Sequence, residues 1–392
     1  MNAITYRNFN QLCKSALVIA VLLMSAPAQS QGEVTVRDFD GVKIYHVPYG
    51  QKIETTRIKL YPHYLPLRAE QGWTYALIDV GYKLTNPIMV EEIPGGADSL
   101  IGRKPFGERA YIALNGSGYT EIRKDSQTPA VRKIHWKKGD AFTAPFGYWV
   151  GHANPYDQPA RLLTLGATLS NDLLDPDIAM AADRPQNPYV TTLLPFEQND
   201  IDAGKVGADP SEFSAAETVN SIRWLQRNTF YQMDWGHRIN LETAETSTHY
   251  FPKRAANGWR STYIWLGGRI LNLFIVQDIP PGSKEIGHKH GFEVIFLGLK
   301  GEGILSVRDQ HDSPPNIIHW YSGDLFCLPW RPQGTWHAHS NPGEQPARIL
   351  ASVHTLEGEQ LLNPYLGRIV KLYRLYSGQD SDHVYEDESP QH

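Results

Sequence analysis

The chain has little cysteine or methionine, no compositionally biased tract and no excess of one charge sign, so composition alone indicates no function. It has two cysteines and five methionines among 392 residues, and no tract of biased composition. Neither charge sign dominates, because 37 Lys and Arg face 42 Asp and Glu, for a formal net charge of −5. This balance excludes the basic surface expected of a nucleic-acid-binding protein. A single long apolar run excludes a multi-span membrane protein.

That apolar run covers residues 15–28, is preceded by basic residues, and ends in the small residues Ala26 and Ala28. This arrangement is typical of a cleavable secretory signal peptide. The run is shorter than the ~20 residues that a membrane-spanning helix needs. We therefore predict a signal peptide over residues 1–28, with cleavage after Ala28 or Ser30. The mature protein is predicted to be periplasmic or secreted, with no stable membrane anchor.

Loss of the signal peptide removes Cys13 and leaves Cys327 as the one cysteine of the mature chain. No intramolecular disulfide is then available. Cys327 lies in the apolar run from Leu325 to Pro329, which predicts a buried, unreactive thiol.

The sequence contains an internal repeat at an offset of 184–187 residues. The copies share the patterns Ile-His-Trp-x-x-Gly-Asp and Asn-Pro-x-x-Gln-Pro-Ala-Arg. The matched segments are 101–116 with 286–301, 134–142 with 318–326, and 149–161 with 336–348. Such a constant offset over sixty positions indicates two copies of one fold.

Each copy consists of short apolar segments separated by glycine- and proline-containing turns, which predicts an all-β fold of two tandem double-sheet jelly-roll barrels. No repeat partner is recognised for residues 171–255, where Asp209 and Pro210 mark the start of a helix. The Gln-Pro-Ala-Arg ends, Arg161 and Arg348, are interpreted as solvated. The predicted order is a first barrel over 33–170, a partly helical linker over 171–255, a second barrel over 256–370 and an acidic tail over 371–392, frayed from Ser377.

The second copy contains His288-x-His290 and, later, His337. Two histidines separated by one residue on a strand lie on the same face, so both can ligate one ion. His337 is expected on a neighbouring strand of the same barrel. Three neutral imidazoles hold a divalent ion and leave positions open for water, substrate or oxygen.

The motifs around these histidines resemble the paired motifs of the cupin superfamily, and the duplication resembles a bicupin. The resemblance covers residues 60–170 and 256–370, and it implies His288, His290 and His337 as metal ligands. Together with Trp336-His-Ala-His-Ser-Asn341, the three-histidine set resembles the gentisate and salicylate 1,2-dioxygenase group. That group uses Fe(II) to bind a hydroxylated aromatic acid beside O₂ and cleave the ring.

The sequence leaves open whether a fourth protein residue ligates the metal. Many cupins place a glutamate six residues after the first histidine, which here is the position of Val294. Glu293 is one residue off and would face away from the metal unless a β-bulge intervenes. The three-histidine site is preferred, with Glu293 as the alternative.

In the first copy, Arg103, Pro105 and Val150 stand at the positions of the three ligands. We therefore predict that this barrel binds no metal by the same route and has a structural role. In an alternative interpretation, Arg103 faces a cavity and binds an anion.

Other polar residues near the motifs are candidates for supporting roles. His152 and His339 occupy equivalent positions in the two copies and are interpreted as framework donors. His354 occurs only in the second copy and is a candidate acid, base or substrate anchor. Gln277 is a candidate polar contact for a substrate.

The sequence favours an exported Fe(II)-dependent dioxygenase acting on a small organic acid, which the resemblance implies to be aromatic, with Mn or Zn as alternative metals. One alternative is a non-redox lyase, isomerase or hydrolase that uses Zn or Mn as a Lewis acid. Another is a binding protein without enzymatic activity. The predicted partner is a small-molecule substrate, with no nucleic acid, and pairing through sheet edges would allow a homodimer.

Overall fold

The structure is a computed structural model of the chain. It describes residues 33–39, 41–80, 88–103, 109–145, 147–166, 229–233, 235–249, 252–266, 273–283, 288–290, 294–308, 313–328, 335–353 and 384–385. The predicted signal peptide and the predicted helix at Asp209 lie outside these ranges. No helix of the described part is long and apolar enough to cross a membrane.

The described residues form strands almost throughout, with two five-residue helices, as the all-β prediction requires. The first half contains β1 (Thr35–Phe39), β2 (Val42–Val47), β3 (Lys52–Glu54), β4 (Tyr61–Pro62), α1 (Pro66–Glu70), β5 (Thr74–Val80), β6 (Ile88–Ile93), β7 (Ala97–Arg103), β8 (Arg109–Asn115), β9 (Ser117–Arg123), β10 (Arg132–Lys137), β11 (Asp140–Ala144), β12 (Trp149–Asn154) and β13 (Ala160–Leu165).

The second half repeats this series. It contains β14 (Thr229–Met233), β15 (Arg238–Asn240), β16 (Ser247–Thr248), α2 (Pro252–Ala256), β17 (Arg260–Leu266), β18 (Leu273–Ile279), β19 (His288–His290), β20 (Val294–Lys300), β21 (Glu302–Arg308), β22 (Asn316–Tyr321), β23 (Asp324–Leu328), β24 (Thr335–Ser340), β25 (Ala347–Val353) and β26 (Val384–Tyr385).

Each barrel consists of a large sheet and a small sheet with matching strand orders. The large sheets run β1-β2-β5-β6-β13-β8-β11-β15 and β14-β17-β18-β25-β20-β23-β3. The small sheets run β10-β9-β12-β7 and β22-β21-β24-β19-β26. Apart from the outer strands β1 and β26, the two orders correspond strand for strand, so the repeat seen in the sequence is a repeat of the whole double-sheet barrel. The prediction of two tandem jelly-roll barrels is confirmed.

Each half of the chain contributes one short strand to the large sheet of the other barrel. Strand β3 of the first half pairs with β23 of the second barrel, and β15 pairs with β11 of the first barrel. An ion pair accompanies each exchange: Lys52 Nζ lies 2.6 Å from Asp324 Oδ2, and Arg238 Nη1 lies 2.8 Å from Asp140 Oδ2. Residues 238–255 therefore do have a repeat partner, contrary to the sequence interpretation. Residues 238–248 share few identical residues with their counterparts 52–62, so the sequence pattern did not reveal this part of the repeat.

Arg161 and Arg348 are not solvated, as the sequence analysis expected, but anchor the exchanged segments. Arg161 Nε donates to Glu92 Oε2 at 2.6 Å and its Nη1 donates to the carbonyl of Thr56 at 2.5 Å. Arg348 Nε donates to Asp278 Oδ1 at 2.6 Å and its Nη1 donates to the carbonyl of Glu242 at 2.8 Å. Both repeats have an arginine at the end of the Gln-Pro-Ala-Arg pattern because it makes this double contact. The pattern alone does not show the contact.

The apolar core has three main parts. One cluster fills each barrel, around Trp136 and Phe142 in the first and Trp320 and Phe326 in the second. A third cluster contains residues of both halves. It includes Cys327, whose thiol is buried, and the prediction of a buried cysteine is confirmed.

The prediction that the chain is frayed from Ser377 onward is wrong for two residues of the tail. Val384 and Tyr385 form strand β26, whose backbone pairs with Lys289 and His288 of β19. An outer strand with unpaired backbone groups accepts such a partner even from a polar segment.

Candidate metal centre

The backbone register brings two predicted ligand positions together. His288 on β19 is paired directly opposite His337 on β24, in an antiparallel ladder. The first barrel has the same register, with Arg103 on β7 paired opposite Val150 on β12. The structure therefore places Arg103 and Val150 where His288 and His337 stand in the second barrel, as the sequence alignment required.

The His337 ring is buried, and its Nδ1 lies 3.0 Å from the carbonyl oxygen of Thr335. Because a carbonyl only accepts, Nδ1 carries the proton and the ring lone pair is on Nε2. Burial lowers the pKa of His337 to about 3, an effect that the Thr335 hydrogen bond opposes and the charge of Arg254 reinforces. His337 is thus a neutral imidazole with a fixed tautomer, which is the form that ligates a metal.

His339 lies two residues further along the same strand and is also buried. Its ring is edge-on to the ring of Phe296, with centroids 4.9 Å apart, and perpendicular to the ring of His337 at 5.7 Å. In the first barrel, His152 is edge-on to Tyr111 at 4.9 Å and its Nδ1 lies 2.7 Å from Thr120 Oγ1. The shared edge-to-face packing in both barrels agrees with the framework interpretation.

Gln277 belongs to a buried polar cluster in the second barrel that the sequence analysis missed. Arg254 Nη1 donates to Gln277 Oε1 at 2.8 Å and lies 3.3 Å from His249 Nε2. The Arg254 guanidinium lies over the ring of Trp259, 5.2 Å from its centroid. Since the charge of Arg254 also lowers the pKa of His337, this cluster lies within electrostatic reach of the candidate ligand.

The first barrel contains the same cluster with a carboxylate in place of the amide. Arg68 Nη1 donates to Glu91 Oε1, and the guanidinium lies 4.7 Å from the centroid of Trp73. His63 Nδ1 accepts from the backbone N–H of Leu65 at 3.0 Å. Its Nε2 therefore carries the proton and donates to Glu91 Oε1 at 2.9 Å.

A sequence signal for this cluster exists. The pattern His-Tyr-x-Pro-x-Arg-Ala-x-x-Gly-Trp occurs at 63–73 and again at 249–259, an offset of 186 residues. Each copy precedes its barrel's longest motifs and encodes the short helix, α1 or α2, that carries the arginine.

The matching strand orders, the exchanged strands and the paired polar clusters make both halves versions of one double-sheet barrel. The chain thus consists of two tandem double-sheet barrels, the arrangement of the bicupins that its motifs resemble. In a bicupin, two such barrels follow one another in a single chain. The resemblance to the gentisate and salicylate 1,2-dioxygenase group rests on short sequence motifs alone. The dioxygenase activity that it implies stays a prediction.

Solved structures with a similar fold include oxalate decarboxylase from Lactobacillus farciminis, at 14% identity over 77% of this chain and 85% of that chain, with a TM-score of 0.45. A cupin 2 conserved barrel domain protein from Leptotrichia buccalis is 12% identical over 78% and 96% of the two chains, with a TM-score of 0.41. A variant of Bacillus subtilis oxalate decarboxylase is 12% identical over 83% and 79%, with a TM-score of 0.46. Similarity at this level concerns the fold and says nothing about activity.

No protein-family model and no curated protein matches this chain.

Several predicted site residues are not described by the structure. The side chains of His288 and His290 and the whole of Glu293 and His354 lie outside the described residues. Among the side chains that are described, no group of three or more His, Cys, Asp and Glu is arranged to hold a metal. Of the predicted ligands, the described part of the chain shows the side chain of His337 and the backbone register that pairs it with His288.

On those two observations, the residues present fit a divalent ion. His337 is neutral with Nδ1 satisfied by Thr335, as expected of a metal-ligating histidine whose second nitrogen is hydrogen-bonded. Val294, at the fourth-ligand position, is buried and apolar, so no carboxylate is present there. The three-histidine donor set stays a prediction, with Glu293, which lies outside the described residues, as the alternative fourth ligand.

The buried histidines of the first barrel predict how stability depends on pH. Burial, with smaller effects from nearby arginines, lowers the pKa of both His63 and His152. Below about pH 6.5 the unfolded chain binds protons at these residues and the folded protein does not, so stability falls as pH falls. We expect the unfolding free energy, measured by urea titration between pH 7.5 and 5, to change little above about pH 6.5 and to decrease below it by up to about 1.4 kcal/mol per pH unit for each such group.

The variant His152→Gln should reduce this slope, and His135→Gln, on the exposed side of the same barrel, serves as the matched control. An equal slope in wild type and His152→Gln would contradict the assignment of His152 as a buried neutral ring.

Proposed function

We propose that the bicupin is a metal-dependent enzyme whose single metal centre lies in the second barrel, with His288, His290 and His337 as ligands. The observation that carries the proposal is the register of β19 and β24, which sets His288 directly opposite a buried, neutral His337. The first barrel, with Arg103 and Val150 at the same register, is the non-metal partner.

When bound, a divalent ion polarises substrate oxygens, and as Fe(II) it also reacts with O₂. The chain's own residues supply the surroundings. Thr335 holds the ring of His337, and Arg254 and Gln277 form a buried polar cluster within electrostatic reach of His337. Phe296 and Phe326, both buried, stack with their ring centroids 5.4 Å apart in the apolar core of the same barrel.

The reaction proposed first is oxidative cleavage of a small, aromatic organic acid by an Fe(II) centre. It rests on the resemblance of the motifs and on the absence of a carboxylate from the Val294 position. A cationic Arg254 near the centre suits an acid substrate. The alternative is a non-redox reaction, for which Mn or Zn is sufficient.

Metal identity and oxygen dependence distinguish these reactions. Apo-protein loaded anaerobically with Fe(II) is expected to consume O₂ when gentisate or salicylate is added, and Zn-loaded protein is not. Full turnover with Zn in the absence of oxygen would contradict the dioxygenase and favour a lyase, isomerase or hydrolase. A protein whose ligand affinity is unchanged in His290→Ala and that shows no turnover would instead be a binding protein.

We further propose that the mature protein is exported after removal of residues 1–28. The processed chain retains one cysteine, Cys327, whereas the unprocessed chain has two. Thiol titration of denatured protein recovered from the periplasm or medium is expected to give one thiol per chain, with that thiol slow to react in the native state because it is buried. Two thiols per chain, or an N-terminus at Met1, would contradict processing.

A further inference from the structure

The strand that carries two of the predicted metal ligands lies near the edge of its barrel. Strand β19 consists of three residues, and it pairs with β24 through three residue pairs. Its counterpart in the first barrel, β7, has seven residues. Because backbone pairing holds a strand in its sheet, the strand with the ligand positions is fixed by a short ladder on its barrel side.

The C-terminal segment supplies the second neighbour of this strand. Tyr385 of β26 is paired with His288, and Val384 is paired with Lys289. Directly opposite residues of antiparallel strands lie on the same face of a sheet. Positions 337, 288 and 385 therefore form one row across β24, β19 and β26. The ligand strand is flanked by the barrel on one side and by the tail on the other.

This addition distinguishes the two barrels. In the part of the chain that the structure describes, the small sheet of the first barrel ends at β7, whereas that of the second continues beyond β19 to β26. Arg103 and Val150 occupy the ligand positions in the first barrel. The fifth strand is thus found in the barrel that has histidines at these positions.

The contact of β26 can open while the barrel stays folded. It consists of two residue pairs close to the end of the chain, and terminal segments separate from a domain at little cost in free energy. The pairing of β24 with β21 extends over five residue pairs and does not involve the tail. Detachment of β26 therefore affects β19 first, and it leaves His337 on a strand that is still paired.

We propose that β26 is a strap that fixes the ligand strand β19 and thereby slows the release of the metal ion. The inference rests on the proposed metal centre. With β26 paired, β19 keeps His288 at the register of His337. With β26 detached, β19 has one neighbour and departs from this register more often. A ligand that is held less firmly in position retains its ion less well.

A full-length variant that combines Val384→Pro with Tyr385→Pro tests the strap. Proline has no N–H, so the double replacement removes whichever of the two amides faces β19. Backbone hydrogen exchange of the metal-free protein, followed by mass spectrometry, reports on the pairing. We expect the amides of residues 288–290 to exchange at least about tenfold faster than in the wild-type protein. Unchanged exchange in β21 checks that the barrel is folded.

Release of bound Zn(II) to an excess of chelator measures the effect on the metal centre. Zn(II) has no redox chemistry and binds to imidazole, so its release does not depend on turnover. We expect release from the double-proline variant to be about 10- to 100-fold faster than from the wild-type protein.

The acidic residues that follow β26 provide the matched control. A full-length variant with Glu386→Gln, Asp387→Asn and Glu388→Gln removes their charge and keeps both residues of the strand. It should have the hydrogen exchange and the Zn(II) release of the wild-type protein. Equally fast release from this variant and the double-proline variant would mean that negative charge retains the ion, and it would overturn the proposal. So would wild-type rates in the double-proline variant, or faster hydrogen exchange without faster Zn(II) release.

Failure of the metal centre itself gives a different result. A wild-type protein that binds no Zn(II) would contradict the proposed function. Hydrogen exchange of the metal-free protein would then still test the strap: faster exchange of β19 in the double-proline variant would support it, and unchanged exchange would overturn it.

Discussion

Replacing Glu91 with alanine is expected to destabilise the protein by about 3–5 kcal/mol, because it leaves the buried guanidinium of Arg68 without its carboxylate. Glu91 accepts from both Arg68 and His63, and all three side chains are buried. The lost free energy is thus mainly the cost of an unpaired interior charge, and deletion of methylene groups adds less. Urea unfolding at pH 7 measures the change.

The chain supplies its own control for this experiment. The second barrel has Gln277 at the position of Glu91, and there the amide oxygen accepts from Arg254 at 2.8 Å. Glu91→Gln should therefore be tolerated better than Glu91→Ala, since an amide oxygen still satisfies Arg68. If the two variants lose equal stability, or if Glu91→Ala loses less than about 1 kcal/mol, the buried cluster does not stabilise the barrel as described.

Replacing His337 with alanine is expected to weaken metal binding by at least about 100-fold and to abolish turnover, because one of three ligands is removed. The metal content of dialysed protein, measured by elemental analysis, gives the first readout, and activity gives the second. The backbone register of β19 and β24 does not depend on the imidazole, so the barrel is expected to remain folded.

His319→Ala is the matched control for this variant. His319 lies on β22 of the same small sheet, and its side chain is exposed. It should keep the metal and the activity of the wild-type protein. A wild-type metal content in His337→Ala would show that this histidine is not a ligand.

The sequence predicted the architecture well because the repeat is visible where residue identity is constrained by packing. Gly116 and Gly301 occupy hairpin turns at φ of 70° and 71°, a conformation that favours glycine. A Cβ on Gly118 or Gly303 would lie 2.5 Å or 2.3 Å from the ring of Trp136 or Trp320. Such positions tolerate few residues and so preserve an alignable pattern.

The exchange of strands was not predicted, because β3 and β15 are three residues long and pair through backbone groups that any residue supplies. The roles of Arg161 and Arg348 were misjudged for a related reason. Their partners are backbone carbonyls about a hundred residues away, and a local pattern does not reveal contacts at that separation.

The candidate site was predicted in part. The alignment placed Arg103 and Val150 at the positions equivalent to His288 and His337. The strand register confirms this, because Arg103 pairs with Val150 as His288 pairs with His337. The polar clusters around Arg68 and Arg254 were missed, although their motif is repeated, because a buried arginine becomes informative only when its partners are known. Gln277 was singled out without its partner Arg254.

The most direct test of the account is the metal stoichiometry of the full-length protein after loading with excess divalent ion and removal of unbound metal. Two barrels of the same fold, one with three histidines and the other with Arg103, Pro105 and Val150 at the ligand positions, predict one tightly bound ion per chain. That ion should be lost in His337→Ala and retained in Arg103→Gln. Two ions per chain, none, or one that survives in His337→Ala would contradict the assignment of the centre to the second barrel.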